Sequence, residues 1–360
     1  MKKQLLAVLF SLIAIMFVIT GCGEDTTESN DTESNTGTNG AENGNTEEDA
    51  EAPVNIGVVF ATGGLGDQSF NDNAYEGIER AKAELGVTYD YVEPNEIAEF
   101  ETYHREYAKT GEYDLIVGIG FDQVDAISIV SEEFPEQKFL LIDSVLEADN
   151  VASAVFKAEE GAFLAGSIAA QQSESGTIGI VGGMDIPLIN AFAAGYEAGA
   201  KFVKPDTEVL VNYVGAWNDP TIGKEMATSM YDSGADVVYA AAGGSGLGVF
   251  TAADEQGFMA IGADMEPSQG PDYLVATTVK KIDNVIFDQV SALIDGEWTA
   301  EVLNLGVKEE AVGYMVEGSN IETPQEYIDV AEDLKQQIID GEIVVPTELD
   351  AVETFLTEHQ

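Results

Sequence analysis

Beyond residue 53 the chain alternates short apolar runs with longer amphipathic stretches. Residues 56–60, 89–92, 115–119, 138–143 and 151–156 are β-branched or aliphatic runs of strand length. They are continuous rather than alternating, the pattern of strands buried on both faces of a parallel sheet. Between them the apolar period changes to that of a helix. Ala74, Ile78, Ala81 and Leu85 mark one face over residues 71–85, and a further helix is expected over 123–134. After a small-residue helix at 161–171 the rhythm restarts, with strands at 178–181, 209–214, 237–240 and 259–262. Helices at about 191–202 and 221–233, and one after Gly243-Gly244 that runs to about 256, alternate with them. A strand at 274–279, a helix at 283–294 and a last helix at 325–340 follow. The β-α-β order occurs twice without repeating in identity, which predicts an α/β protein of two doubly wound lobes.

The first residues follow a different logic. Lys2 and Lys3 precede an apolar run, 5–19, that ends in Ile19-Thr20-Gly21-Cys22. A basic start, an apolar stretch and small residues before a cut describe a secretory signal over 1–21. The run is marginal for a permanent span, which takes roughly 17–25 residues. Cys22 is the sole cysteine, so no disulfide can form within the chain. The residues before it are similar to the bacterial lipobox, which makes Cys22 the expected lipidation site and new N-terminus. From 23 to about 52 the chain is acidic, Ser/Thr/Asn/Gly-rich and almost devoid of apolar side chains. Such a segment cannot offset its ordering entropy and is expected to be a disordered tether. Residues 53–158 with about 280–305 are expected to form the N-terminal lobe, and 159–279 with about 306–346 the C-terminal lobe. Residues 347–360 are expected to be an acidic tail.

Charge narrows the function. With 66 acidic and 15 basic residues the formal net charge is −51. Nucleic-acid binding needs a basic footprint and is disfavoured. Nucleotides and other polyanions would approach against the field, whereas neutral or cationic solutes would not. Adaptation to salty or alkaline surroundings accounts for the charge without any specific partner.

Candidate chemistry sits just after the strands, because right-handed crossovers bring all strand C-termini of a parallel sheet to one edge. Those positions include Thr62-Gly63-Gly64, Phe121-Asp122, Ala216-Trp217-Asn218, Gly243-Gly244-Ser245 and Asp264-Met265. The glycine turns do not match G-x-G-x-x-G, and no phosphate-binding G-x-x-x-x-G-K-[ST] occurs. Tight turning explains them, although Gly244 leaves backbone open to a neutral ligand. Ser245 resembles a nucleophile elbow, but Leu247 stands where the motif needs glycine. His104, expected on a solvated helix face, and His359 near the end are the two histidines. Histidine and cysteine are too few for a zinc site, and no EF-hand loop is present. No enzyme, metal or cofactor is therefore expected.

With these residues in view, the chain resembles the basic membrane protein family of lipoproteins, which includes bacterial purine-nucleoside receptors. The resemblance is carried by Gly63-Gly64-Leu65-Gly66-Asp67-Gln68-Ser69-Phe70-Asn71-Asp72, Ala74-Tyr75-Glu76-Gly77 and Gly161-Ala162-Phe163-Leu164-Ala165-Gly166. Gly182-Gly183-Met184, Asn218-Asp219-Pro220, Ala241 to Gly246, and Lys280-Lys281-Ile282-Asp283-Asn284 extend it across the body. It implies a type I periplasmic-binding-protein fold, two Rossmann-like lobes joined by a multi-strand hinge, serving an ABC permease and ATPase. It further implies that Phe70 and Trp217, the latter replacing the usual phenylalanine, sandwich a base. Asp264 then matches an acceptor for ribose hydroxyls, Lys280 a donor to the sugar, and Asp122 and Asn71 readers of the base edge. The non-ligand alternatives are core packing for Phe70, helix capping for Asp122 and a solvated turn for the other polar positions. Ala61 departs from the aspartate that many relatives carry there.

The expected protein is thus an extracytoplasmic, monomeric solute-binding lipoprotein on the outer face of the membrane, taking guanosine, inosine or adenosine and no nucleic acid. A sugar or other neutral metabolite, or a surface sensor without transport, are the alternatives. Lipidation is checked by Cys22→Ala, which is expected to move the protein from the membrane fraction into the medium, because a buried acyl chain contributes about 0.8 kcal/mol per CH₂.

Overall fold

The apolar runs assemble into two separate sheets in the computed structural model, which describes residues 53–265 and 270–359. The signal, Cys22 and the tether expected over 1–52 lie outside the described residues. The first half runs β1 (Asn55–Val59), α1 (Phe70–Leu85), β2 (Thr88–Val92), α2 (Phe100–Thr110), β3 (Leu115–Ile119), α3 (Val124–Glu133), β4 (Phe139–Ile142) and β5 (Val151–Phe156). Then α4 (Ala158–Gln172) leads into β6 (Thr177–Gly182), α5 (Pro187–Val203), β7 (Glu208–Tyr213), α6 (Pro220–Asp232), β8 (Val237–Ala241), α7 (Gly246–Gln256), β9 (Met259–Ala263) and β10 (Leu274–Lys280). The chain closes with α8 (Ile282–Ile294), β11 (Val302–Leu305), β12 (Val312–Met315), α9 (Gln325–Asp340) and α10 (Val352–Glu358).

The two sheets have the same spatial order. The first is β11-β5-β4-β3-β1-β2 and the second β12-β10-β9-β8-β6-β7. All neighbours are parallel except β12, which runs antiparallel to β10. Strands β1, β3, β4, β6 and β8 are buried almost throughout, as continuous apolar runs require, while the edge strand β2 is largely exposed. The chain passes between the sheets three times, from β5 through α4, from β10 into α8, and between β11 and β12. One apolar core, including Ile56, Val117, Phe163, Ile286, Leu334 and Phe355, runs from the first sheet into α4, α8, α9 and α10.

Helices α4 and α5 pack with backbones in contact. A Cβ on Gly199 would sit 1.9 Å from the Phe163 carbonyl oxygen, and one on Gly166 2.1 Å from that of Tyr196. The small-residue run that identified α4 in the sequence is therefore the condition for this approach. Of the segment expected as an acidic tail, 347–360, the described residues 347–359 pack onto the body instead. They form a short 3₁₀ turn and α10, with Val352 and Phe355 buried and the Phe355 ring 5.9 Å edge-on from Phe163. The acidic positions of this segment are on its outer face, and the apolar ones every third or fourth residue hold it down. Among the described residues no helix is long and apolar enough to cross a membrane.

Candidate functional site

The strand ends of the two sheets enclose a cavity of ≈ 90 Å³. Its walls include all of Phe70, Asn71, Asp122, Trp217, Gly244, Asp264 and Lys280, the positions singled out from the sequence. They come from both lobes. Phe70 and Asn71 open α1, Asp122 lies in a 3₁₀ turn after β3, Trp217 follows β7, Gly244 follows β8, Asp264 follows β9, and Lys280 ends β10. Ala61 also lines the cavity, and its N–H donates to Asn71 Oδ1 at 3.1 Å.

The turn before α1 shows why this sequence is built as it is. Ser69 is the N-cap residue of α1, yet its hydroxyl does not cap. Asp67 takes over, accepting from the N–H groups of Ser69, Asn71 and Asp72 and from the Asn71 side chain. Burial pushes the Asp67 carboxyl up despite those donors. Ser69 Oγ is thereby free to donate across the cleft to the Ala263 carbonyl oxygen at 2.9 Å. The lobes meet elsewhere as well, because a Cβ on Gly244 would lie 3.8 Å from Asp67 Cβ. Asn71 gives one amide hydrogen to Asp67 and its oxygen to Ala61, so only its second N–H and a lone pair remain for a ligand.

Trp217 is held by glycine and serine. A Cβ on Gly183 would stand 2.3 Å from Trp217 Cζ3, so the indole lies directly on the Gly183 backbone. Ser245, considered as a nucleophile, is a staple of the same loop. Its hydroxyl donates to the Ala216 carbonyl at 2.8 Å and accepts the Asp219 N–H at 2.9 Å, while its own N–H donates to the Trp217 carbonyl at 2.9 Å. It is fully buried and has no histidine partner.

The polar floor is a carboxylate–ammonium–carboxylate arrangement. Lys280 Nζ pairs with Asp143 Oδ2 at 2.8 Å, and both side chains are 4% exposed. The ammonium also lies 5.2 Å from the centre of the Phe70 ring, 5.5 Å from Phe156 and 5.6 Å from Phe192. Burial works against the ammonium, but Asp143 and Asp264 outweigh it and hold the lysine above its ordinary pKa. Burial raises Asp264 to about 7, against the pull of Lys280 and with repulsion from Asp143 and Asp67. Asp122 is pushed up to about 6 by burial, its Oδ1 has no partner, and no side-chain cap bond is made. Asp122 is therefore not a helix cap.

Asp143 and Asp264 occupy equivalent places, each directly after the fourth strand of its lobe. Both have left-handed backbones, with φ of 67° and 57°. Non-glycine residues rarely persist there unless their surroundings hold them. Asp143, Asp67, Ser69 and Phe192 line the cavity without having been singled out as ligand residues. Asp143 was legible by the strand-end rule, as the last residue of the run 138–143; Phe192, inside α5, carried no such signal.

His104 is a correction. It was expected on a solvated face of α2 but is fully buried. Gln123 donates from Nε2 to the carbonyls of Val59 and Ile119, which leaves its Oε1 to accept from His104 Nε2 at 2.6 Å. Burial lowers the imidazole to about 4, so it is neutral and fixes the turn that carries Asp122. Among the described residues no group of three or more His, Cys, Asp or Glu is placed to hold a metal.

Two parallel-sheet lobes closed over one polar and aromatic cavity define a solute-binding protein. The comparisons agree. The family profile described as ABC transporter substrate-binding protein PnrA-like matches residues 54–348, and the chain belongs to that family, Bmp. It is similar to an uncharacterized lipoprotein of Pyrococcus abyssi, 37% identical over 75% of this chain and 71% of the relative. It is also similar to the ABC transporter nucleoside-binding protein BmpA of Lactococcus lactis, 32% identical over 96% of this chain and 100% of that one. A crystal structure of an ABC transporter solute-binding protein from Aeropyrum pernix superposes with a TM-score of 0.76 at 31% identity, covering 85% of this chain and 97% of that one. The family is one of binding proteins rather than catalysts.

The support of Trp217 by Gly183 can be checked directly. Trp217 and Trp298 are the two tryptophans. In a Trp298→Phe background, Gly183→Ala is expected to lift the indole, shift its emission, and cost about 1–3 kcal/mol of stacking for a flat ligand.

Proposed function

We propose that this protein is the extracytoplasmic, lipid-anchored receptor of an ABC importer and that its cleft takes a purine nucleoside. One observation carries the reading: an aromatic ring from each lobe, Phe70 and Trp217, faces the same cavity as a buried acid and ammonium, Asp264 and Lys280. A flat heterocycle stacks on such rings whatever its substituents. A carboxylate beside an ammonium suits a vicinal diol, since one accepts hydrogens and the other donates. Asp122 and the second N–H of Asn71, which also line the cavity, are suited to complement a base edge. Gly244 lets backbone approach the ligand. The relative from Lactococcus lactis is named as nucleoside-binding, which supports the same ligand class. Lipoprotein relatives from Pyrococcus support the anchor, with Cys22 as the attachment.

No bond is made or broken. Ligand touching both lobes favours the closed form by its differential affinity, and the closed form is what a permease and its ATPase would engage. A wrong ligand leaves buried acceptors unpaired, which is the source of specificity.

Guanosine, inosine or adenosine is expected to raise Tm, by about 2.7 kcal/mol of added stability at a hundred times Kd. No shift with any of them at millimolar concentration would remove the nucleoside reading. Binding is also expected to depend on pH. The diol needs the ionised Asp264, whose pKa burial raises to about 7, so below that pH a proton must leave for the diol to be bound. Calorimetric Kd values are therefore expected to weaken as pH falls through 7 toward 5.5, by up to about tenfold per pH unit, and Asp264→Asn to remove that slope along with most of the affinity.

A further inference from the structure

Asp143 lies in the cavity, but neither the strand pattern nor the resemblance gave it a role. Four features distinguish it. Among the described residues it is the only hydrogen-bond partner of the Lys280 ammonium, which otherwise lies against the rings of Phe70, Phe156 and Phe192 while Asp264 acts on it through space. Its backbone is left-handed, a strained state it shares with Asp264 at the matching strand end of the other lobe. It comes from the first sheet and Lys280 from the second, so the pair forms across the gap between lobes. Its second oxygen, Oδ1, is buried with no partner in the protein.

A long side chain surrounded by three phenyl rings has no polar contact on those sides to set its direction. The charge-assisted bond to Asp143 supplies it. We infer that Asp143 is a positioning residue that aims the Lys280 ammonium at the ligand's sugar, so that the site distinguishes one ribose hydroxyl from its absence. The inference rests on the nucleoside reading of the same cavity and adds to it the residue that sets sugar discrimination. Asp264 and Asp143 then have different duties despite matching positions. The first accepts from the sugar, and the second holds the donor.

The experiment compares calorimetric Kd values for the tightest binder among guanosine, inosine and adenosine with those for its 2′- and 3′-deoxy forms. Unmutated protein that binds none of the three ends the nucleoside reading, and this inference with it, before any variant is made. In Asp143→Asn the ratio of deoxy to parent Kd is expected to drop at least about tenfold for the hydroxyl that Lys280 meets, the loss of one hydrogen bond to a charged group. A merely structural ion pair would weaken parent and deoxy ligands equally and leave the ratio unchanged, which would overturn the inference. Asp143→Asn strands a buried ammonium, so Asp143→Asn/Lys280→Gln is compared with Lys280→Gln as a pair without that charge. If Asp143 acts through Lys280, the two have the same ratio; a further drop in the double variant would show a separate role and sink the proposal.

Discussion

Lys280 carries the single positive charge among side chains that line a gap also holding Asp67, Asp122, Asp143 and Asp264. Burying an ammonium is costly, and removing the partner of such a buried pair typically costs about 3–5 kcal/mol. The pair with Asp143 forms only when strand ends from both sheets come together, so the charge balance of the cleft is tied to the relation between lobes. Asp264 answers the same cation through space and through the backbone N–H of Lys280. Burial, rather than the cation, raises the Asp122 and Asp264 carboxyls, and Lys280 draws Asp264 back down. The site is thus strongly acidic in composition, with one buried ammonium as its counterweight.

The repeated sheet order explains why so few residues suffice to build it. Each lobe supplies turns at the same places after its strands, and the 3₁₀ turn bearing Asp122 has its counterpart at Gly243–Ser245. On one side the turn is braced by Gln123 and a neutral His104, on the other by Ser245. Both braces are buried polar groups whose partners are backbone or one another, so their roles are to fix loops. The hydrogen bonds of Ser245 and His104 thus serve the shape of the two turns.

Much of this was legible in the sequence because parallel strands buried on two faces leave long apolar runs, and because strand C-termini define where ligands sit. The central strands of both sheets follow that rule, and residues after β1, β3, β4, β7, β8 and β9 line the cavity. What failed to show was structure made by distant contacts. Phe192 is one apolar residue among many in α5 until the fold turns it toward Lys280. The burial of His104 depends on Gln123, nineteen residues on, and a polar helix gives no sign of it. The short strands β11 and β12 lack the length to stand out, and α10 is acidic enough to pass for tail until Phe355 finds Phe163 and Phe202. Asp143 had the right address and was read only as the end of a strand.

The Ser69 hydroxyl bears on how such a protein behaves between cargoes. Because Asp67 does the capping, the serine can fasten one jaw to the other at Ala263 through the protein's own atoms. A neutral bond of that kind is worth about 0.5–1.5 kcal/mol net. The shut form is therefore stabilised by the protein itself, and a visiting molecule has correspondingly less to contribute. The same fastening must be undone at hand-over, so a bond that favours the shut form also slows the release of its passenger.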